Sequence, residues 1–122
     1  MTEPDAPYRD PSLSPEQRVE DLLARISLED KAGLMFQDMQ LMGPGGALVG
    51  DENLISRPGS EAAVRDLRMN HFNLLGSPDS VRDLVGWYNA LQEVAARTGL
   101  GIPVSLSTDR SYAPRMSRLP TE

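Results

Sequence analysis

Cysteine is absent from this 122-residue chain, which excludes a disulfide framework and any thiolate metal site. A single histidine, His71, leaves no cluster for a metal, and no adjacent nucleophile or carboxylate suggests a triad. His71 is therefore read as structural, and no metal or organic cofactor is expected. Aromatic residues make up only 5% of the chain, so a large self-sufficient core is thinly supplied. No apolar run approaches the roughly 18 residues that a membrane-spanning helix needs. The opening residues, MTEPDAPYRDP, lack both the basic and the apolar regions of a secretory leader, and a cytoplasmic protein is expected.

The residues present describe an acidic, loop-rich α/β chain of one small domain. Hydrophobic residues are 39%, charged residues 25%, and ten glycines and ten prolines punctuate the sequence. The net charge of −6 sits entirely in residues 1–60, which carry 5 basic and 11 acidic groups; residues 61–122 carry 7 of each. An acidic chain without a basic stripe argues against nucleic acid and anionic membrane as partners.

Pro4, Pro7 and Pro11 predict an extended lead-in over 1–13. Ser14, Pro15 and Gln17 then form a capping-box signature, followed by Val19, Leu22, Leu23 and Ile26 at helical spacing. Ser27, with Glu29 and Asp30 behind it, restarts the pattern as a second cap. Gly33 to Phe36 fits either a helix end or a first strand. Met42 to Gly46 is a turn cluster, and the segment to about Gly59 reads as loop. Ser60 is placed as the cap of a helix through Leu67. His71 to Leu75 reads as a strand closed by Gly76. Ser77, Pro78 and Asp79 open the clearest helix, with Val81, Leu84, Val85, Tyr88, Leu91, Gln92 and Ala95 on one face. Trp87 and Tyr88 are assigned to packing rather than sugar stacking. Gly99 is placed as the terminating glycine, and Ile102 to Leu106 as a buried strand. Strands separated by helices imply crossovers and a parallel sheet.

Asp109 is the candidate site residue. It stands just past the last strand, where α/β folds gather ligands and catalytic groups, and a carboxylate there can accept hydrogen bonds from two neighbouring sugar hydroxyls. The alternative is that Asp109 caps the following turn. Ser107 and Thr108 read as polar strand-end residues. The acidic pairs Glu20–Asp21 and Glu29–Asp30 read as solvated helix faces, and Met42 to Gly46 lacks the spacing of a phosphate loop.

Three segments together resemble the N-terminal domain of glycoside hydrolase family 3, the β-glucosidase-like enzymes. Tyr8 to Met35 is similar to that family's opening helix pair, Met69 to Gly76 to its next strand, and Trp87 to Asp109 to the helix and strand ending at a substrate aspartate. The resemblance implies a (β/α)₈ TIM-type barrel, here its N-terminal portion only, over residues 14–109. It also implies retaining hydrolysis of β-glucosides or related sugars by two carboxylates about 5 Å apart, with Asp109 as a ligand for glycone hydroxyls. No residue matches the family's nucleophilic aspartate, its acid/base or its Lys-His substrate pair, so no catalytic residue is assigned. After Asp109 the resemblance stops: Arg110 to Glu122 is Arg-rich, contains Pro114 and Pro120 and is expected to be disordered. A barrel of this type usually needs around 250 residues. The expectation is a truncated fragment, itself inactive, with self-association through the unfinished barrel. The alternative is a non-catalytic carbohydrate-binding or subunit-interaction module.

Overall fold

A computed structural model describes residues 5–50, 58–75, 78 and 80–107. Four helices and three strands follow in the order α1 (Pro15–Arg25), α2 (Leu28–Leu34), β1 (Gln37–Leu41), α3 (Ser60–Arg65), β2 (His71–Leu75), α4 (Val81–Ala96) and β3 (Ser105–Ser107). Single 3₁₀ turns occupy Pro7–Arg9 and Pro44–Gly46. The strands form one parallel sheet in the order β1-β2-β3, with Gln37 opposite His71 and His71 opposite Ser105. The α/β class with a parallel sheet is thus as the sequence predicts.

The first two helices begin where their caps require. Ser14 Oγ accepts the Gln17 amide at 3.3 Å while Gln17 Oε1 accepts the Ser14 amide at 3.1 Å, with Pro15 in the first turn. Ser27 and Asp30 repeat the reciprocal arrangement at 3.0 and 3.3 Å. Each box satisfies two amide groups that would otherwise lack helical partners.

Several boundaries move. Residues 33 and 34 close α2, and the first strand follows at Gln37–Leu41, a segment the periodicity did not reveal. Its inward residue is Gln40, fully buried, while Met39 on the other face is 47% exposed. Apolar alternation is therefore inverted there. Gln40 is tolerated because Ser60 Oγ donates to its Oε1 at 2.9 Å and its Nε2 reaches the Pro58 carbonyl at 3.4 Å. This also corrects Ser60: it is the first residue of α3, not its cap, and its hydroxyl is committed to Gln40. Helix α4 starts at a Ser80 cap whose Oγ accepts the Asp83 amide at 3.1 Å; Gly76, Ser77 and Asp79 lie outside the described residues.

The last strand is shorter than Ile102 to Leu106, beginning at Ser105. Pro103 has no amide to give a ladder, and Val104 is claimed by α4. Gln92 Oε1 accepts the Val104 amide at 3.1 Å, and Gln92 Nε2 donates to the Val104 carbonyl at 2.7 Å. Tyr88 Oη adds a second bond to that carbonyl at 3.2 Å. Gly99, with φ of +51°, lies in the turn beyond the Arg97 cap.

One face of the sheet is covered. Ala63 and Val64 from α3, with Trp87, Leu91 and Ala95 from α4, bury Phe72 and Leu74 of β2 together with Met69 and Val104. The buried stripe of α4 is rotated from the expected one. Trp87 is completely buried, whereas Val81 and Val85 are 70% and 50% exposed. The Pro44–Gly46 turn seats against α4 as well; Gly46 has φ of +80° and its Cα faces the Asp83 carbonyl so closely that a Cβ would lie 2.5 Å from it. Replacing Trp87 by alanine should cost about 3–5 kcal/mol in urea unfolding, against less than about 0.5 kcal/mol for Val81→Ala. Equal costs would show that the stripe is drawn wrongly.

Candidate functional site

The face of the sheet left uncovered among the described residues carries polar residues from all three strands. Gln37 and Met39 of β1, His71 of β2, and Ser105 and Ser107 of β3 are exposed on it, with Asn73 and Leu75 half-buried between them. Period-two alternation selects this set, because Phe72 and Leu74 point the other way into the core.

Two hydrogen bonds organise the face. His71 Nδ1 and Ser105 Oγ are paired at 2.5 Å between adjacent strands. Gln37 Nε2 donates to Ser107 Oγ at 2.6 Å, although β2 lies between their strands. With neighbouring strands about 4.8 Å apart, these two backbones stand roughly 10 Å from each other, so the contact requires the long Gln37 side chain to lean across His71 and Asn73. Ser107 Oγ also approaches the Phe72 carbonyl at 3.5 Å. An open depression of about 320 Å³ lies here, with Met35 and Phe36 forming its apolar rim beside Gln37, His71, Ser105 and Ser107. The expected structural role of His71 is therefore a cross-strand contact rather than core burial.

The arrangement offers amide, imidazole and hydroxyl groups but no carboxylate. Asp38 alternates to the opposite face. The carboxyls whose titration is displaced lie elsewhere. Ser12 donors hold Asp10 below its ordinary value; backbone and Ser14 hydrogen bonds do the same for Glu16. The Arg65 hydrogen bond lowers Asp66, and the Asp66 contact in turn raises Arg65. These displacements stabilise the charged forms, the opposite of what a general acid needs. Among the described residues no group of three His, Asp or Glu side chains is placed to hold a metal, and no helix is long and apolar enough to cross a membrane.

Asp109 and Thr108 lie outside the described residues, as does the tail 110–122. Of the sequence-marked strand-end residues, Ser107 is the one placed, and it is engaged by Gln37. The Gln37–Ser107 and His71–Ser105 pairs were not legible from sequence: each depends on register between segments 34 to 70 residues apart. Asn73 Oδ1, on the same face, and Asn70 Oδ1 and Trp87 Nε1 are buried without a hydrogen-bond partner among the described residues.

Comparison with known proteins gives a consistent set of relatives. A probable β-glucosidase C of Aspergillus flavus is 36% identical over 108 residues, covering 87% of this chain and 16% of that protein. β-Glucosidase C of Emericella nidulans is 34% identical over 106 residues, again 87% of this chain and 16% of its own length. A periplasmic β-glucosidase/β-xylosidase of Dickeya chrysanthemi is 33% identical over 103 residues, 84% of this chain and 15% of its own. The chain thus spans about a sixth of the curated relatives it matches. No protein-family model matches it. Within the site, Gln37→Ala should cost no more than about 1.5 kcal/mol, and should shift the Ser107 amide resonance while leaving that of Asp66 in place; unchanged Ser107 would mean that the bridge does not form in solution.

Proposed function

We infer function from one premise: this chain is related to β-glucosidases over 87% of its length, and that match fits an N-terminal fragment of glycoside hydrolase family 3. The reading it supports best is the opening part of a retaining β-glucosidase-like hydrolase, whose parallel sheet is the first section of a TIM-type barrel. The identity to β-glucosidases over most of the chain is the observation that carries it. The parallel β1-β2-β3 order with helical crossovers is compatible with it.

In this proposal Asp109 is a ligand for glycone hydroxyls and not a reacting group. It follows Ser107, the last residue of β3, by two positions in sequence, and the C-terminal ends of strands are where such folds bind ligands. A carboxylate accepts hydrogen bonds from vicinal hydroxyls in a bidentate manner, which fixes the ring without attacking it. Hydrolysis with retention needs a second and a third carboxyl in defined places, one to attack the anomeric carbon and one to protonate the leaving oxygen. The described face supplies neither, so the 122 residues by themselves are proposed to be inactive. Incubation of the purified chain with an aryl β-glucoside should release no aryl alcohol above the uncatalysed rate; turnover near that of a complete enzyme would overturn the proposal. Glucose should bind weakly, in the millimolar range that corresponds to about −4 kcal/mol, and Asp109→Ala should abolish the calorimetric signal. Binding unaffected by that change would remove Asp109 from the site.

A second reading, self-association, draws on the open sheet face and on the exposed Met35, Phe36, Val81 and Val85. Uncovered strand edges and apolar side chains favour association. Sedimentation over a concentration series should show mass rising above one chain; a constant 13.4 kDa species would dismiss it.

A further inference from the structure

We propose that Tyr8 and Arg9 are positioning residues for β3: they form a strap, anchored on α1, that fixes the turn from which that strand departs. Helix α1 packs unusually. None of its residues is buried, and Val19 and Leu23 remain about half exposed. Its main packing partner is the Pro7–Arg9 turn, and what it offers that turn is polar. Asp21 Oδ2 accepts the Tyr8 amide at 3.1 Å, and Arg18 Nε donates to the Tyr8 carbonyl at 2.9 Å. The backbone of Tyr8 is thus held from both sides.

The side chains then reach to the far end of α4. Tyr8 Oη donates to the Leu100 carbonyl at 2.8 Å, and Arg9 Nη2 donates to the same oxygen at 2.9 Å. A carbonyl oxygen has two lone pairs, and here both are used. Arg9 Nε closes the triangle on Tyr8 Oη at 2.9 Å, and its guanidinium lies 5.1 Å from the centre of the Tyr8 ring. Clearance comes from the neighbouring residue. Gly101 has φ of +71°, and a Cβ there would sit 2.6 Å from Arg9 Nη2. The turn takes the strap because residue 101 lacks a side chain.

Leu100 and Gly101 lie between α4 and β3. Three residues on, Gln92 clips Val104, and the Ser105 amide then donates to the Asn70 carbonyl at 2.8 Å. Loosening the turn releases the chain just where it must enter the sheet in register. The consequence for sugar binding rests on the reading of Asp109 given above; the strap itself does not.

The test is amide hydrogen exchange on the whole chain in four forms: wild type, Tyr8→Phe, Arg9→Ala and Arg9→Lys. Exchange separates local opening from global unfolding. The reporter is the Ser105 amide, and the control is the Met69 amide, which donates to the Ala63 carbonyl before β2. Tyr8→Phe and Arg9→Ala should each speed Ser105 exchange at least about fivefold with Met69 changing less than about twofold. Arg9→Lys, which keeps a donor for Leu100, should restore most of the protection. Equal acceleration at both amides, or none at Ser105, overturns the proposal, since a merely stabilising contact would affect both alike. Glucose titration of the same forms separates the strap from the sugar site. Wild-type binding that weakens with the strap variants supports the link to the strand end. A wild type that does not bind glucose sinks the sugar-ligand reading, and the strap then stands or falls on exchange.

Discussion

Two parallel strands cannot be joined by a hairpin, and this constraint orders everything between Gln37 and Ser107. Each return to the start of the sheet needs a crossover long enough to contain a helix. The crossovers lay α3 and α4 over Phe72 and Leu74. Burial is therefore one-sided. The covered face receives nearly all the large apolar side chains that are fully buried, Trp87, Phe72 and Leu91 among them. The other face is left with glutamine, histidine, asparagine and serine beside Met39 and Leu75. In a chain with so few aromatic residues, Trp87 and Phe72 are both fully buried in the one cluster on the covered face.

Where apolar burial is thin, side-chain amides take over the work of registration. Gln40 and Gln92 both stand at inward positions that a purely hydrophobic pattern would give to leucine. Each uses both ends of its amide, Gln40 on Ser60 and Pro58, Gln92 on the two backbone groups of Val104. A buried amide with only one of these contacts would be destabilising, because the other polar end would lose water without replacement. With both made, it fixes position in a way that leucine cannot, since hydrogen bonds are directional and apolar contacts are not.

This explains which parts of the fold could be read from the chain. Ser14 with Gln17 and Ser27 with its acidic first turn are local signals, and local chemistry decides where those helices start. The strand His71–Leu75 was legible because Phe72 and Leu74 alternate with polar or outward residues between breakers. Gln37–Leu41 was hidden because its buried residue is polar and its exposed neighbour is Met39, an inversion that makes sense only once Ser60 is brought alongside. The displaced stripe of α4 has the same origin. Val81 and Val85 fit a helical period, but the sheet lies on the Trp87 side, and a period alone does not say where the sheet is. Gln92 was the available clue: a polar residue in an apolar stripe signals a specific partner. For the candidate site, the sequence supplied Asp109, whose neighbourhood is outside the described residues, while the pairs on the open face arise from strand register and had no local signature.

The depression on that face is a tempting place to put a sugar, and the geometry argues against doing so. It is centred on Gln37, His71 and Ser105, which are the first residues of their strands. In α/β folds the loops that build binding sites follow the last residues, on the opposite rim. His71 Nδ1, Ser105 Oγ, Gln37 Nε2 and Ser107 Oγ are already engaged in pairs, so a ligand recognised through those atoms would have to break the His71–Ser105 and Gln37–Ser107 contacts. Each rupture would cost about as much as the new bond returns. A cluster of this kind is better suited to holding three strands in a fixed relation than to exchanging partners with solvent. The polar face and the strap at Leu100 then act in the same direction: one fixes β3 laterally against β1 and β2, the other fixes the point from which it enters. Together they fix β3 up to Ser107, two residues before Asp109 in sequence.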